Sequence, residues 1–296
     1  MLPINNIYVC NTIDDCIKKL NIDNFKIDSL HLKLIDEKSI GPISIDIKEN
    51  NCIVVNKLDG TISNIDLESF VENNRKYICP APRDIKIYGD YAYISSNETN
   101  SIIIYNIIKE EIEMQLKTGI SPGSIVLCEE DSKLFCANIL EDTITVIDLK
   151  ENKVIRNIKV GNYPIKIKLS KDKKLLYVCE SNLEDDNNGY ISIYSLSNFN
   201  LESRIRAGKT PVDIYEDKGI LYVSDFEGGS INLINEKEEK EEKRLFLGGM
   251  PNGILKHEDK LYVTDYFNGN LYQIDEELEN LKIIAIGNEP NAMIIV

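Results

Sequence analysis

The chain has 296 residues, with 47 Ile and 15 Tyr against 6 Ala and no Trp, an inventory that favours strands over helices. Its 34 Lys and Arg face 49 Asp and Glu, a net charge of −15, and that field repels a phosphate backbone or an anionic membrane, so neither is expected as a partner. The start of the chain carries no signal-peptide pattern, no apolar run reaches about 18 residues, and seven Cys without a C-x-x-C pair suit reduced thiols, which together predict a cytoplasmic location.

Taken in chain order, short apolar runs recur as IYVCN, CIVVN, AYISS, LFCAN, LYVCE, LYVSD and LYVTD, anchored on Tyr8, Ile53, Tyr93, Phe135, Tyr177, Tyr222 and Tyr262. The anchors lie 45, 40, 42, 42, 45 and 40 residues apart, and the count from Tyr262 through the C-terminus and round to Tyr8 is 42 again. Of nine prolines, seven (Pro42, Pro82, Pro122, Pro164, Pro211, Pro251 and Pro290) precede an anchor by 11 to 14 residues, and the third residue after each is Ile or Met. A turn leading into a strand is the natural reading, since proline can begin a strand but cannot sit inside a central one. Nine residues after the anchor a further apolar run begins in every unit but that of Tyr177, where five extra residues intervene.

With a variable, charged fourth segment, each unit supplies four short strands, and four strands in about 42 residues match a propeller blade. The chain is therefore predicted to be all-β: a seven-bladed β-propeller of four-stranded antiparallel blades, forming one domain over residues 1–296 and closed into a ring by pairing of the C-terminal strand with N-terminal strands. The acidic and basic run Glu236 to Lys243 is expected as a solvated loop between third and fourth strands.

Tyr222-Val223-Ser224-Asp225, Tyr262-Val263-Thr264-Asp265 and the stretch from Phe135 to Asp148 resemble the repeat of the YVTN β-propeller family, including its YncE-like members. The resemblance covers all seven units. It implies a propeller that binds a ligand or partner, often without catalysis.

Scaffold positions and candidate site positions separate by recurrence. The third residue after the anchor is Asn11, Asn56, Ser96, Asn138, Glu180, Asp225 or Asp265, a series suited to accepting hydrogen bonds in a turn. Cys10 and Cys179 fall in a small-residue packing slot. In a propeller the loop entering the innermost strand and the loop after the second strand open at one end, so candidates are the non-repeating polar residues just after the prolines: Arg83, Asp84, Lys166, Asp213, Asn252 and Asn291. With both charge signs they suit a small polar ligand or a protein segment. The protein is read as a non-catalytic, monomeric scaffold without a cofactor.

Two alternatives remain. One is a carboxylate-metal hydrolase or lactonase whose cation is held by Glu180, Asp225 and Asp265; the other is a structural spore or surface-layer component. The only histidines, His31 and His257, are expected in an outermost strand and in a hairpin, away from the candidate residues. Glu184, Asp186, Asn188 and Gly189 imitate the start of a calcium loop, but its twelfth position is Ser195 where a bidentate Glu is needed, so a polar hairpin tip is expected there.

Overall fold

The computed structural model describes residues 5–33, 38–181 and 189–296. They form seven four-stranded antiparallel sheets, the blades of a propeller, and no helix among them is long and apolar enough to cross a membrane. By internal contacts the chain falls into two compact units, Met1–Lys117 with Ile286–Val296, and Thr118–Ala285. The first unit holds blades 1 to 3 and the second blades 4 to 7.

Blade 1 joins the chain ends, as the wrapped spacing predicts. Its strand order is Pro290–Ile295, Asn6–Asn11, Cys16–Asn21 and Ile27–His31, with Tyr8 opposite Ile294 and Val9 opposite Met293. The remaining blades run in chain order from Pro42, Pro82, Pro122, Pro164, Pro211 and Pro251, each of which opens the first strand of its sheet. Proline is tolerated there because a strand's first residue need not donate to the ladder.

Burial follows strand position. Second strands such as Asn51–Asn56 are buried at nearly every residue, whereas fourth strands such as Glu111–Lys117 are almost wholly exposed. The apolar clusters lie between successive blades: Phe135, Ile144 and Val146 of blade 4 pack with Ile167, Leu176 and Val178 of blade 5, and Tyr8, Cys10 and Ile17 of blade 1 pack with Ile45, Val54 and Ile65 of blade 2. Blades 2, 5 and 6 are thus covered on both faces by their neighbours, and each large side chain withdrawn from water in this way contributes roughly 2 kcal/mol. All seven cysteines are buried and none is in a disulfide, and burial pushes the Cys16 and Cys79 thiols up to about 11.

One expectation about the fourth strands is corrected. The run Glu236 to Lys243 is not one loop, because Lys240–Phe246 is a strand paired with Ser230–Asn235, Lys243 lying opposite Leu233. A fourth strand needs no apolar stripe on an exposed face, and here the charges pair among themselves, Arg244 with Glu241 at 2.6 Å and Lys243 with Glu279 at 3.2 Å. Glu236 is also less solvated than a loop-tip residue: it accepts from the Tyr177 hydroxyl at 3.1 Å, and burial raises its carboxyl above the usual range.

Candidate functional site

The prolines mark one end of every blade. In blade 2, Pro42 lies opposite Asn56 and Asn56 opposite Thr61, so the start of the first strand, the end of the second and the start of the third meet there. Just after the proline the ladder slips in all seven blades. Pro82 pairs with Ser96 and Asp84 with Ser95, leaving Arg83 as an extra, unpaired residue. Such bulges re-aim a side chain away from the regular alternation. The series Ile43, Arg83, Gly123, Ile165, Val212, Asn252 and Asn291 therefore occupies one repeated bulge whose side chain differs from blade to blade.

The residue before the proline is often strained. Ala81, Ser121, Tyr163 and Glu289 take φ of 44°, 59°, 49° and 46°, the left-handed region that costs a residue with a Cβ about 1 kcal/mol or more.

The residue two after the proline ties neighbouring blades together. Ser44 Oγ donates to Asp84 Oδ1 at 2.7 Å, and that carboxylate also accepts from the Ile85 amide at 2.9 Å. Asp213 accepts the Ile214 amide at 2.9 Å and, from the next blade, the Ile254 amide at 3.1 Å. Lys168 stands 4.0 Å from Asp213, and Lys166 lies opposite Cys179 in the ladder. Asn291 donates to Thr12 Oγ1 at 2.6 Å and to the Glu289 carbonyl at 3.1 Å, and Asn252 sits in the bulge of blade 7. Arg83, Asp84 and Asn291 thus belong to the first unit, and Lys166, Asp213 and Asn252 to the second.

Glu180, Asp225 and Asp265 close the second strands of blades 5, 6 and 7. Each organises the turn entering its own blade. Glu180 accepts the Gly161 amide at 3.0 Å and pairs with Arg204 at 3.0 Å. Asp225 accepts the amides of Lys209 and Thr210 at 3.0 and 2.8 Å. Asp265 accepts Met250 N at 2.9 Å and the Tyr272 hydroxyl at 2.8 Å; burial pushes its carboxyl up, but those donors and Asn268 hold it below the usual range. Among the described residues no group of three or more His, Cys, Asp or Glu could hold a metal ion.

In the same slot Asn56 donates to Thr61 and Ser63, and Asn138 to Thr143 and Thr145, at 2.8–2.9 Å. Their buried Oδ1 atoms have no protein partner, which is the situation an internal water resolves.

Of the imitation calcium loop, Glu184, Asp186 and Asn188 lie outside the described residues. Ser195 ends the strand Tyr190–Ser195, about 16 Å from the strand's start, and binds Ser197. His31 ends the fourth strand of blade 1 and His257 ends the first strand of blade 7.

The candidate set drawn from the sequence did not include Lys57. It follows Asn56 directly and is the only cation in a slot otherwise filled by Thr12, Asn97, Ile139, Ser181, Phe226 and Tyr266, a departure from the repeat that was there to be found. In blades 6 and 7 the same slot is aromatic, the Phe226 and Tyr266 rings lying 5.7 Å apart. Elsewhere, a groove of about 790 Å³ in the second unit lies among Lys174, Leu175, Ser195, Ser203 and Glu236 at the other end of blades 5 and 6, away from all of these residues.

Residues 89–235 match the model of a family described as YNCE-like beta-propeller. No curated protein sequence matches the chain. Among solved structures, a functionally unknown protein from Desulfotomaculum acetoxidans is similar at TM-score 0.80 and 14% identity, covering 98% of both chains. Hydrazine synthase of Kuenenia stuttgartiensis is similar at TM-score 0.74 and 16% identity over 84% of this chain and 81% of that one. Dihydro-heme d1 dehydrogenase NirN, in complex with DHE, gives 0.72 and 12% over 99% and 75%. At such identities the likeness is one of fold.

Proposed function

With residues 89–235 those of a YNCE-like β-propeller as premise, we propose that the protein is a non-catalytic binding scaffold that engages a small polar ligand or a protein segment at the proline-bearing end of its blades. One observation carries this reading. At that end a single backbone device, the bulge after the proline, recurs in every blade, while the side chain it presents ranges from Gly123 and Ile165 to Arg83 and Asn252. A position demanded by folding alone would repeat its residue as the packing slots do; variation on a constant backbone is how loops and bulges carry recognition. The carboxylates that a hydrolytic reading would use are instead engaged by backbone amides.

Affinity capture with the intact protein tests the proposal. Wild type should retain a partner or small molecule, identified by native mass spectrometry, that Arg83→Glu combined with Lys166→Glu releases. Unchanged retention by the double variant would overturn it.

A further inference from the structure

Two part-buried cations of the first unit, Lys57 and Arg83, make no ion pair among the described residues. Arg83 is the extra residue of the blade 3 bulge, and Lys57 is the first residue beyond the second strand of blade 2. The Ser44–Asp84 bond links the first strands of the same two blades. Both cationic side chains are part-buried, and among the described residues neither makes a side-chain hydrogen bond or an ion pair. An arginine so placed offers five N–H donors that no side chain among the described residues takes up.

Shortage of acid does not explain it. Carboxylates outnumber cations by 49 to 34, and other lysines of the same unit find them readily, Lys48 reaching Asp90 at 2.7 Å and Lys76 reaching Glu110 at 2.5 Å. Backbone pairing sets them at the same end of adjacent blades: the Lys57 amide donates to the Gly41 carbonyl at 2.8 Å, just before Pro42, and Ser44 two residues beyond that proline bonds Asp84, the neighbour of Arg83. Burial first and then Arg83 push the Lys57 ammonium down, Glu289 opposing; burial pushes the Arg83 guanidinium down, Asp84 opposing.

We propose, resting on the binding reading above, that Lys57 and Arg83 form a subsite for a carboxylate group, the Arg83 fork taking both oxygens and Lys57 adding its charge. A monoanion fits better than a phosphate dianion, because Asp84, the residue after Arg83, already places a negative charge beside the cations. The carboxylate of a small organic acid and that of an acidic peptide share this chemistry.

Thermal melting of the full chain at constant ionic strength is the test, with sodium acetate, sodium succinate, an acetylated aspartyl peptide amide, sodium phosphate or sodium chloride as the added salt. Wild type should show a saturable rise in Tm with the carboxylates and less with phosphate. Arg83→Gln and Lys57→Gln should each weaken that response by about tenfold, the loss of one charge-assisted hydrogen bond, with Arg83→Lys falling between. In chloride both Gln variants should melt no lower than wild type, since an unpaired, mutually repelling charge has been removed. A tighter midpoint for the peptide than for succinate assigns the carboxylate to a protein segment, and the reverse to a small acid. No saturable response in wild type, an equal response in both Gln variants, or a larger effect of phosphate would overturn the subsite. If carboxylates fail here while the double charge reversal still releases a captured partner, the binding face stands and only the ligand class falls.

Discussion

The Lys256 ammonium of blade 7 pairs with the Asp217 carboxylate of blade 6, both side chains being withdrawn from solvent at 5% and 11% exposure. Glu276 completes the site at 2.7 Å from Lys256, Lys171 reaches Asp217 from blade 5, and the Tyr222 ring lies 5.8 Å from the ammonium. Three blades are therefore held by one charged chain of contacts at the end opposite the prolines. Lys256→Met leaves Asp217 with Lys171 alone and takes from Glu276 its cation, so it should destabilise by about 2 kcal/mol in urea unfolding. A loss under about 1 kcal/mol would mean that solvent screens the pair as it does a surface ion pair.

Acid should act through the same residue. Hydrogen bonds from Lys171 and Lys256 outweigh burial and lower the Asp217 carboxyl from 3.8 to about 2. A depressed carboxylate contributes stability that is present above its unfolded value and lost as pH falls through its folded one. The contribution, about 2 kcal/mol, should therefore be intact above pH 4 and fade between about pH 4 and pH 2. Asp217→Asn should flatten this part of the stability profile measured by chemical denaturation, and an acid limb of unchanged slope would count against the assignment.

Asp265 should matter as a turn acceptor. Asp265→Ala leaves the Met250, Phe267 and Asn268 amides without their acceptor in a part-buried turn, and about 3 kcal/mol of stability should go with them. Asp265→Asn keeps an acceptor oxygen and should cost about 1 kcal/mol. Equal losses for the two variants in thermal or urea melts would point to the negative charge itself as what the site requires.

Removal of residues 291–296 takes away the strand that pairs with Asn6–Asn11, a segment buried at five of its six positions. An unpaired buried strand edge is both unsatisfied and aggregation-prone. The truncated chain should not give a soluble species with a cooperative melt, and one that did would show that blade 1 closes without its C-terminal strand.

The repeat was legible because it is written by local chemistry. Anchor aromatics such as Tyr8, Tyr93 and Tyr177 are among the largest fully buried side chains, the seven prolines open first strands, and the third residue after each anchor organises a turn, each through a demand that recurs every 42 residues or so. The charge run at Glu236 to Lys243 misled because a fourth strand is exposed, so it can be built from residues that otherwise signal a loop.

The candidate residues divide along the same line. Arg83 was identifiable from the sequence as a departure from its repeat, but that Asp84 and Asp213 bind neighbouring first strands was not, because their partners Ser44 and Ile254 lie about one whole period away in the chain. The sequence by itself determined the period, the strand content and the joining of the chain ends in one blade, since these depend on local propensity and on the count of residues. Only the tertiary structure decided which charges are engaged: pairing between blades depends on distances that repetition leaves unspecified, and on that account Lys57 and Arg83 make no ion pair among the described residues while Glu180, Asp225 and Asp265 are taken up by backbone amides.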